Sequence, residues 1–391
     1  MPEVALKRGW TRVAFGDVVK LAGERSRNPQ HDGFERFVGL DHIDPGDLKI
    51  RRWGEIADGS TFSSVFRPSQ VLFGKRRTYQ RKVAVADFGG VCSGDIYVLE
   101  PKNADLLPEL LPFICQTDGF FEHAVGTSAG SLSPRTNWDS LAGYEFALPP
   151  LDEQRRIHSV IAAASSVIDD LSDSITSCES LVASIRTSEF DPARYEPVAL
   201  AKLCSDGDGI QIGPFGTQLH QSDYRAEGVP VVMPMNMRDD RIAIDGIARV
   251  SEQKASSLAV HRIRVGDILL PRRGELDRRA YVDESAVGWL CGTGSVRVRV
   301  HARVPSLAVF HALASPHGVR WLNANAVGTT MPNLNTKIVG SVPIALPPSH
   351  VLEGIVAALQ GLDAGLVALR RRREVARSVR QRILAATLGT T

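Results

Sequence analysis

The chain has 391 residues, with 46 lysines and arginines against 44 aspartates and glutamates, and a formal net charge of +2. At about 100–200 residues per domain, this length predicts two or three domains. The content of 43% hydrophobic and 23% charged residues excludes wholesale disorder. The five cysteines are scattered without a CxxC pair, which argues against a disulfide framework or a zinc site. With no run of about 18 apolar residues and no apolar N-terminal signal segment, we expect a soluble cytoplasmic protein.

The first 150 residues predict a globular α+β domain of sufficient size for its own core. Its strand-like runs are bounded by Gly, Asp or Pro, and a short helical pattern follows them. The predicted strands are Arg36–Leu40, Gln70–Phe73, Val83–Ala86 and Ile96–Leu99, and the predicted helix is Leu106–Thr117.

Two polar segments of this domain are candidates for binding DNA. Arginine forks bind phosphates and the O6/N7 edge of guanine, glutamine reads adenine, and small hydroxyl and amide side chains suit a DNA-facing loop. A solvated loop and an ordinary turn are the alternatives for the two segments. The first segment offers Lys75, Arg76, Arg77, Tyr79, Gln80, Arg81 and Lys82, and the second offers Ser131, Ser133, Arg135 and Asn137.

A long helix follows Pro150 and ends before Asp191-Pro192. Its apolar residues step by four and three over about four heptads, which predicts a coiled coil. These residues are Ile157, Ile161, Ala164, Ile168, Leu171, Ile175, Cys178, Val182 and Ile185.

The second half of the chain repeats the first with a period of about half the chain. FALPP at Phe146–Pro150 returns as IALPP at Ile344–Pro348. Residues Val71–Val85 align with Ile268–Val282 without a gap, and Cys92 then aligns with Cys291. A whole unit, a globular domain followed by a long helix, is therefore duplicated.

The second copy predicts strands at Val229–Met233, Asp267–Leu270 and Ser295–Val300, and a helix at Ser306–Ala314. A second heptad seam runs from Leu352 to Leu369 and then degrades at Arg373. The DNA-binding candidates of this copy are Gln218, Asn236, Arg272, Arg273, Arg278, Arg279, Thr330, Asn333, Asn335 and Lys337. Methionines 233, 235 and 237, which surround Asn236, are expected to lie mostly in the core.

The two long helices carry opposite charge. Residues 151–190 hold seven acids and three bases, whereas residues 349–391 hold three acids and seven arginines. Asp169, Asp170 and Asp173 lie near the middle of the first helix, and Arg370 to Arg373 near the middle of the second. We predict an antiparallel pair within one chain, with the globular domains at opposite ends of a rod. Two solvated faces with unrelated partners are the alternative.

Three catalytic signatures are missing from the sequence. It contains no GxxxxGK[ST] loop and no HExxH, and ALPP lacks the Asn or Asp that amino-methyltransferases place before Pro-Pro. Asp87 and Asp95 with Glu100-Pro101-Lys102 vaguely suggest a nuclease set, but such a triplet is common by chance. An enzyme would need an active site assembled from scattered residues.

The layout resembles the specificity (S) subunit of type I restriction–modification systems over essentially the whole chain. The resemblance is carried by the repeat, by LPPLDEQRRI (Leu148–Ile157), by Ile212–Met237, and by GDILLPRRGE (Gly266–Glu275) with its counterpart Gln70–Tyr79. One departure is Ser349–Glu353, which stands where LDEQ is expected.

The resemblance implies a non-catalytic subunit with target recognition domains at 1–150 and 191–348 and conserved spacer helices at 151–190 and 349–391. Each domain would read one half of a split double-stranded DNA target. The helices would space the half-sites and dock two methyltransferase subunits, which would carry S-adenosylmethionine, and motor-nuclease subunits would join for cleavage. The candidate docking residues are Leu151, Glu153, Gln154, Arg370, Arg371, Arg372 and Arg373. A scaffold or DNA-binding protein of the same fold in another phage-defence system is the alternative.

Overall fold

A computed structural model describes residues 6–328 and 332–388 of the chain. It confirms the mixed α/β class and divides the chain into two units. Unit one comprises Met1–Ser172 and Arg371–Thr391, and unit two comprises Asp173–Arg370. Each unit thus contains one globular part and one half of each long helix, so the helices predicted as separate spacers are shared between the units.

Unit one contains two four-stranded sheets and one two-stranded sheet. Its strands are Thr11–Ala14 (β1), Val19–Leu21 (β2), Arg36–Val38 (β3), Gly54–Glu55 (β4), Ser64–Phe66 (β5), Val71–Gly74 (β6), Val83–Val85 (β7), Gly90–Cys92 (β8), Ile96–Pro101 (β9) and Glu145–Leu148 (β10). Its short helices are Phe15–Val18 (α1), Leu111–Ile114 (α2), Asp118–Gly126 (α3) and Trp138–Ala142 (α4). The sheet orders are β2-β9-β6-β7, β4-β3-β8-β5 and β1-β10.

Unit two begins with the second half of the long helix Leu151–Glu189 (α5) and ends with the first half of the helix Ser349–Leu388 (α10). Its strands are Val198–Ala199 (β11), Ile210–Ile212 (β12), Tyr224–Arg225 (β13), Val229–Val232 (β14), Met237–Arg238 (β15), Arg241–Ile242 (β16), Ala248–Val250 (β17), Ile268–Pro271 (β18), Ala280–Tyr281 (β19), Leu290–Cys291 (β20), Ser295–Val298 (β21) and Pro343–Ile344 (β22). Its short helices are Glu252–Ser257 (α6), Ser306–Ala314 (α7), Pro316–Asn325 (α8) and Thr336–Gly340 (α9).

One four-stranded sheet of unit two follows the topology of unit one, whereas the other matches it only in the parallel pair and the antiparallel strand beside it. The sheet orders of unit two are β12-β21-β18-β19, β13-β17-β14-β20, β11-β22 and β15-β16. The strand that precedes each basic segment, β6 or β18, lies between equivalent neighbours in both units. In each unit one parallel pair, β3·β8 or β14·β20, sits beside antiparallel neighbours. Cys92 and Cys291 lie in these parallel pairs, as the sequence alignment implies.

Two details of the sequence prediction need correction. The first is the helix predicted at Leu106–Thr117, which is broken into a 3₁₀ turn at Pro108–Leu110 and the single turn α2, and the longer helix α3 begins only at Asp118. Thr117 caps α3, because its hydroxyl accepts a hydrogen bond from the Phe120 amide. Proline at 108 and again at 112 supplies no amide hydrogen, which explains the break.

Each half of the helix pair packs into the core of its own unit. In unit one, Ile157 and Ile161 of α5 share a core with Leu384 and Leu388 of α10. In unit two, the buried seam residues are Ile175, Val182, Leu352, Leu359 and Leu366. Residues early in α5 therefore share a core with residues late in α10 in unit one, and residues late in α5 share a core with residues early in α10 in unit two.

The second correction is that the seam of α10 does not degrade at Arg373. Seven residues further on, Arg380 occupies a seam position and is buried, and Leu384 and Leu388 follow it into the core. The Arg380 guanidinium donates to the Gly46 carbonyl at 2.6 Å. An arginine can therefore replace leucine in the seam here because a backbone carbonyl of the globular part receives its guanidinium.

By length and composition alone, α10 contains a window apolar enough to cross a membrane. This does not contradict the expectation from the sequence, because Glu353 and Asp363 interrupt the apolar sequence of the helix and leave no continuous run of about 18 apolar residues. One such helix is weak evidence for a membrane span, since a helix packed in a protein core passes the same test. In α10 the buried leucines Leu352, Leu359 and Leu366 contribute to the core of unit two.

The amide of Gln154 fixes the beginning of α5 to the globular part of unit one. Gln154 is fully buried. Its Oε1 accepts from the Leu107 amide at 2.8 Å, and its Nε2 donates to the carbonyls of Asp105 at 2.7 Å and Pro149 at 2.8 Å. In the second copy, the position aligned through the Pro-Pro pairs is Leu352, whose apolar side chain is buried and can form no such network.

Replacing Gln154 with the residue of the second copy should destabilise unit one. Gln154→Leu leaves three backbone groups without their partner, and each such group costs about 1–3 kcal/mol when it is buried. The free energy of unfolding, measured by urea denaturation, should fall by at least one such increment relative to Ser159→Ala, an exposed site on the same helix. Equal stability of the two variants would contradict the proposal that the Gln154 hydrogen bonds fix the beginning of α5.

Candidate nucleic-acid interface

The basic segment of unit one forms a loop between two paired strands. This basic loop, residues 75–82, leaves β6 and returns as β7, with a 3₁₀ turn at Thr78–Gln80. Arg77 and Arg81 flank the turn with φ angles of 54° and 55°, in the left-handed region that non-glycine residues rarely adopt. Such strained positions concentrate at functional sites and are held by surrounding contacts.

The second polar segment packs directly against the basic loop. We call residues 129–135 the polar hairpin of unit one, because Ala129 and Arg135 exchange two backbone hydrogen bonds of 2.9 Å. The Arg77 amide donates to the Pro134 carbonyl at 2.7 Å, and the Thr136 amide donates to the Lys75 carbonyl at 3.0 Å. Two segments that are far apart in sequence thus form one surface.

One carboxylate organises the arginines of this surface. Asp95 accepts from Arg76 at 3.1 Å and from Arg135 at 2.9 Å. The Ser133 hydroxyl accepts from Arg76 at 3.1 Å and from Arg77 at 3.3 Å. These contacts orient three guanidiniums. Because each guanidinium carries five N–H groups, the exposed Arg77 and Arg135 still have donors available.

Several side chains of this surface project into solvent. Arg77 and Ser131 are exposed, Tyr79 is 56% exposed, and Leu132 at the tip of the polar hairpin is 91% exposed. The sequence pattern indicated neither Asp95 as an organiser nor Leu132 as a site residue. A signal for Leu132 was present, because it is an isolated leucine in a run of serine, glycine and proline.

Other candidates of unit one already have protein partners. The Lys75 ammonium lies 4.5 Å from the Tyr97 ring centre, and burial lowers the pKa of Lys75 below its ordinary value. Arg81 pairs with Asp118, and Lys82 donates to the Leu40 carbonyl. Asn137 caps α4 by accepting from the Ser140 amide at 2.7 Å. The remaining candidate, Gln80, is partly exposed at the end of the 3₁₀ turn.

Unit two repeats the same backbone frame. Its basic loop, residues 272–279, follows β18. Two hydrogen bonds of 3.0 and 2.9 Å join Val327 to Asn333, and we call the described residues 327–328 and 332–333 the polar hairpin of unit two. The Leu334 amide donates to the Arg272 carbonyl at 2.8 Å, as Thr136 donates to Lys75 in unit one. Arg273 forms a backbone bridge with Asn333, as Arg76 does with Arg135. Of the predicted candidates, Thr330 lies outside the described residues.

The side chains on this repeated frame differ between the units. Arg272 lies with its guanidinium carbon 5.9 Å from the ring centre of Phe215, which is 60% exposed. Arg273 and Lys337 are exposed, and the buried Asn333 Oδ1 accepts no hydrogen bond within the described part of the chain. Gln218 is exposed but its Oε1 accepts from the Phe215 amide at 3.3 Å. Phe215 was not predicted as a site residue, although it lies between Pro214 and Gly216.

Several candidates of unit two are structural in this geometry. Asn236 is buried. Its Oδ1 accepts from the Met233 amide at 3.0 Å, and its Nδ2 donates to the Ala243 carbonyl at 3.3 Å. Asn335 caps α9 by accepting from the Ile338 amide at 2.8 Å. Arg279 binds Asp240 at 2.8 Å, and Arg278 is engaged locally by Glu275 at 2.6 Å. Of the flanking methionines, Met237 is buried as expected, whereas Met235 is 61% exposed.

The candidate docking residues on the helices divide in the same way. Leu151 is 37% exposed, and Glu153 forms an ion pair with Arg156 at 2.6 Å. Gln154 is unavailable to a partner because it is buried. Arg371 and Arg372 are exposed on α10, whereas Arg373 lies 3.8 Å from Glu374.

The opposite charges of the two helices meet within unit two. Arg370 of α10 pairs with Glu179 of α5 at 2.7 Å. Asp169, predicted to face the arginines, instead binds Lys49 at 2.7 Å and Arg51 at 3.2 Å in the globular part of unit one. The acidic patch of α5 therefore serves partly to hold its own domain.

No cluster of three or more metal-ligating side chains occurs in residues 6–328 and 332–388. Burial raises the pKa of the Cys92 and Cys291 thiols to about 12, which keeps both protonated and unreactive. What the two surfaces present is guanidinium, hydroxyl and apolar side chains, the groups that contact phosphates and base edges.

The fold is that of the specificity subunits of type I restriction–modification systems, and it confirms the resemblance read from the sequence. The S subunit from M. genitalium aligns with 100% of this chain and 98% of its own, at a TM-score of 0.58 and 14% identity. A chain solved in work on complex assembly and conformational transition of the type I system aligns with 98% of this chain and 99% of its own, at a TM-score of 0.53 and 21% identity.

A sequence relative is the specificity subunit of the type I restriction enzyme EcoDI from Escherichia coli. It is 24% identical over 192 residues, which span 48% of this chain and 42% of that relative. The matched segment thus spans less than half of the relative's length. No protein-family model matches the chain.

The Arg186–Asp240–Arg279 cluster gives a testable electrostatic contribution to unit two. Burial alone would raise the pKa of Asp240, but Arg186 and Arg279 outweigh burial and lower the pKa below its ordinary value. Asp240→Asn should therefore reduce the free energy of unfolding by about 1–3 kcal/mol at pH 7. Asparagine also tolerates the left-handed backbone of this residue, whose φ is 63°.

The pH dependence of that destabilisation has a defined sign. The stabilisation by Asp240 is complete above the unfolded pKa of about 3.9 and disappears as the pH falls through the lower folded pKa. Denaturation at a series of pH values should show the wild type and the variant converging only below about pH 4. Asp245→Asn, at an exposed position, is the control. A difference that is constant down to about pH 2 would reject the ion-pair account.

Proposed function

We propose that this chain is the DNA sequence-specificity subunit of a type I restriction–modification complex, in which each unit reads one half of a bipartite double-stranded target. The chain itself performs no catalysis in this proposal. Two methyltransferase subunits supply S-adenosylmethionine and the methylation chemistry, restriction subunits supply cleavage, and the complex acts in the cytoplasm.

The observation that carries the proposal is the repeated frame with different side chains. Both units hold a basic loop against a polar hairpin through equivalent backbone hydrogen bonds, from Thr136 to Lys75 and from Leu334 to Arg272. The side chains at matching positions differ, with Arg135 in unit one and Asn333 in unit two. A repeated frame fixes how each surface approaches the duplex, while unlike side chains give each surface its own base preference.

The chemistry of the surfaces fits duplex DNA better than a protein partner. In unit one the exposed groups are arginine and serine donors around a single organising carboxylate, and phosphate contacts of this type position a protein on DNA. The apolar Leu132 at the hairpin tip and Phe215 in unit two suit contact with thymine methyl groups or base faces. The nearly neutral total charge does not oppose this, because the basic groups are local.

The helices suit the roles of spacing and docking. A continuous helix transmits distance at about 1.5 Å per residue, so helix length would set the separation of the half-sites. On α5, Val160, Val167 and Leu181 are exposed by 45%, 51% and 49% and are spaced at multiples of seven residues. An apolar heptad stripe that its own chain does not cover is what a partner helix packs against.

One prediction of the proposed function tests the basic surface of unit one. In the assembled complex, Arg77→Gln with Arg135→Gln should weaken DNA binding. The slope of log K against log salt should become shallower by about 0.9 for each phosphate that the two arginines neutralise. Binding is measured by fluorescence anisotropy at several salt concentrations. Arg12→Gln is the control, since Arg12 pairs with Glu145 at 3.7 Å and belongs to neither the basic loop nor the polar hairpin. An unchanged slope in the double variant would mean that this surface does not face DNA.

Another prediction of the proposed function tests the spacing role of the two long helices. One heptad is inserted between Ser172 and Asp173 and a second between Arg370 and Arg371, where the two units meet in sequence, so that the packing inside each unit is kept. Each insertion lengthens a helix by about 10 Å. The non-specific gap in the target should grow by about three base pairs, as mapped by sequencing methylated adenines. An unchanged gap in an active complex would reject the helices as the ruler.

A further inference from the structure

A cavity of about 450 Å³ lies within unit two, between the helix halves and the globular part. Its walls combine two kinds of surface. One is apolar, formed by Val182, Leu307, Phe310, Leu366 and Val367. The other consists of charged side chains of both signs from α5, from α10, and from segments at or beside β15, β16 and β19. Ligand sites typically occupy about 300–1,000 Å³ with apolar walls and a few polar groups.

The charges of the cavity wall are paired with one exception. Asp240 pairs with Arg186 at 2.6 Å and with Arg279 at 2.8 Å. Arg370 pairs with Glu179 at 2.7 Å and with Asp239 at 3.2 Å. Asp283 lies 4.0 Å from Arg241. Each of these carboxylates therefore has its guanidinium within the wall, and none is left to demand a further cation.

The exception is Asp363 of α10, which lines the cavity and is partly buried. Among the residues that the structure describes, none donates a hydrogen bond to its carboxylate or forms an ion pair with it. Burial raises the pKa of Asp363 above its ordinary value, and the negative charge of Asp240 adds to this. Arg186, Arg241 and Arg370 act in the opposite direction from a distance. A partly buried carboxylate without a partner is costly unless a cation or donor reaches it.

We propose that this cavity binds a small organic cation, with its ammonium or guanidinium group on Asp363 and its hydrocarbon or aromatic body against the apolar wall. The charge count supports a monocation, because one carboxylate remains after the internal pairs are formed. Phe310 on the apolar wall adds an aromatic side chain that can pack against the body of such a ligand. The inference does not depend on the proposed DNA-binding function.

The test compares two probes of equal shape and different charge. Phenethylamine is cationic at neutral pH, and 2-phenylethanol is its neutral counterpart. Saturation-transfer NMR and calorimetry with the full chain should show saturable binding of phenethylamine and binding of the alcohol weaker by about tenfold or more. Equal binding of both probes, or no binding of the amine, would overturn the proposal.

The assignment to Asp363 is tested by substitution. Asp363→Asn should weaken phenethylamine binding by about ten- to a hundred-fold, the range for a hydrogen bond to a charged group. The variant should also melt at a higher temperature than the wild type without ligand, because it removes an unpaired charge; this distinguishes weaker binding from a failure to fold. Glu353→Gln, an exposed site on the same helix, changes the net charge equally and should leave binding unchanged. Equal weakening in both variants would mean that net charge, and not this site, attracts the amine.

Discussion

The structure depends on the burial of one apolar seam that two helices share. Neither α5 nor α10 has an apolar face broad enough to be stable alone, and each half of each helix completes the core of a different unit. In unit one the seam residues join a core that contains Phe15, Phe73 and Phe120. Because the same two helices enter both cores, folding of either globular part fixes the helical register beside it. The loops are thereby held on rigid elements, which a recognition surface requires.

Each unit attaches its globular part to the helices by a different ionic arrangement. In unit one, Asp169 of α5 binds Lys49, while Arg380 of α10 reaches a backbone carbonyl. In unit two the signs are reversed on α5, where Arg186 binds Asp240. Replacing one partner of the largely buried Arg186–Asp240 pair leaves an unpaired charge. The two attachments therefore discriminate between the globular parts, because a part carrying the wrong sign would be repelled by the helix it met.

Much of the architecture could be predicted from the sequence, because periodicity and duplication are visible in the linear order of the residues. The heptad steps through Ile157, Ile175 and Val182 predicted the buried seam, and the alignment of Val71–Val85 with Ile268–Val282 predicted matching strand pairs. What could not be predicted depends on which residues, far apart in the sequence, lie close together in the folded chain. Nothing in the sequence joins Lys75 to Thr136, and Gln154 cannot be distinguished from an exposed docking residue until its backbone partners are seen beside it.

The same limit explains why residue type alone predicted the surface poorly. Arg77 and Arg279 are both arginines of a basic loop, yet one is exposed and the other is held by a carboxylate from a distant turn. Asn137 and Asn335 cap helices at equivalent positions, so their recurrence reflects the repeated fold and carries no information on base reading. Residues that recur in both copies therefore tend to build the frame. Residues that differ on that frame, such as Arg135 against Asn333, are where a difference in sequence preference between the units can arise.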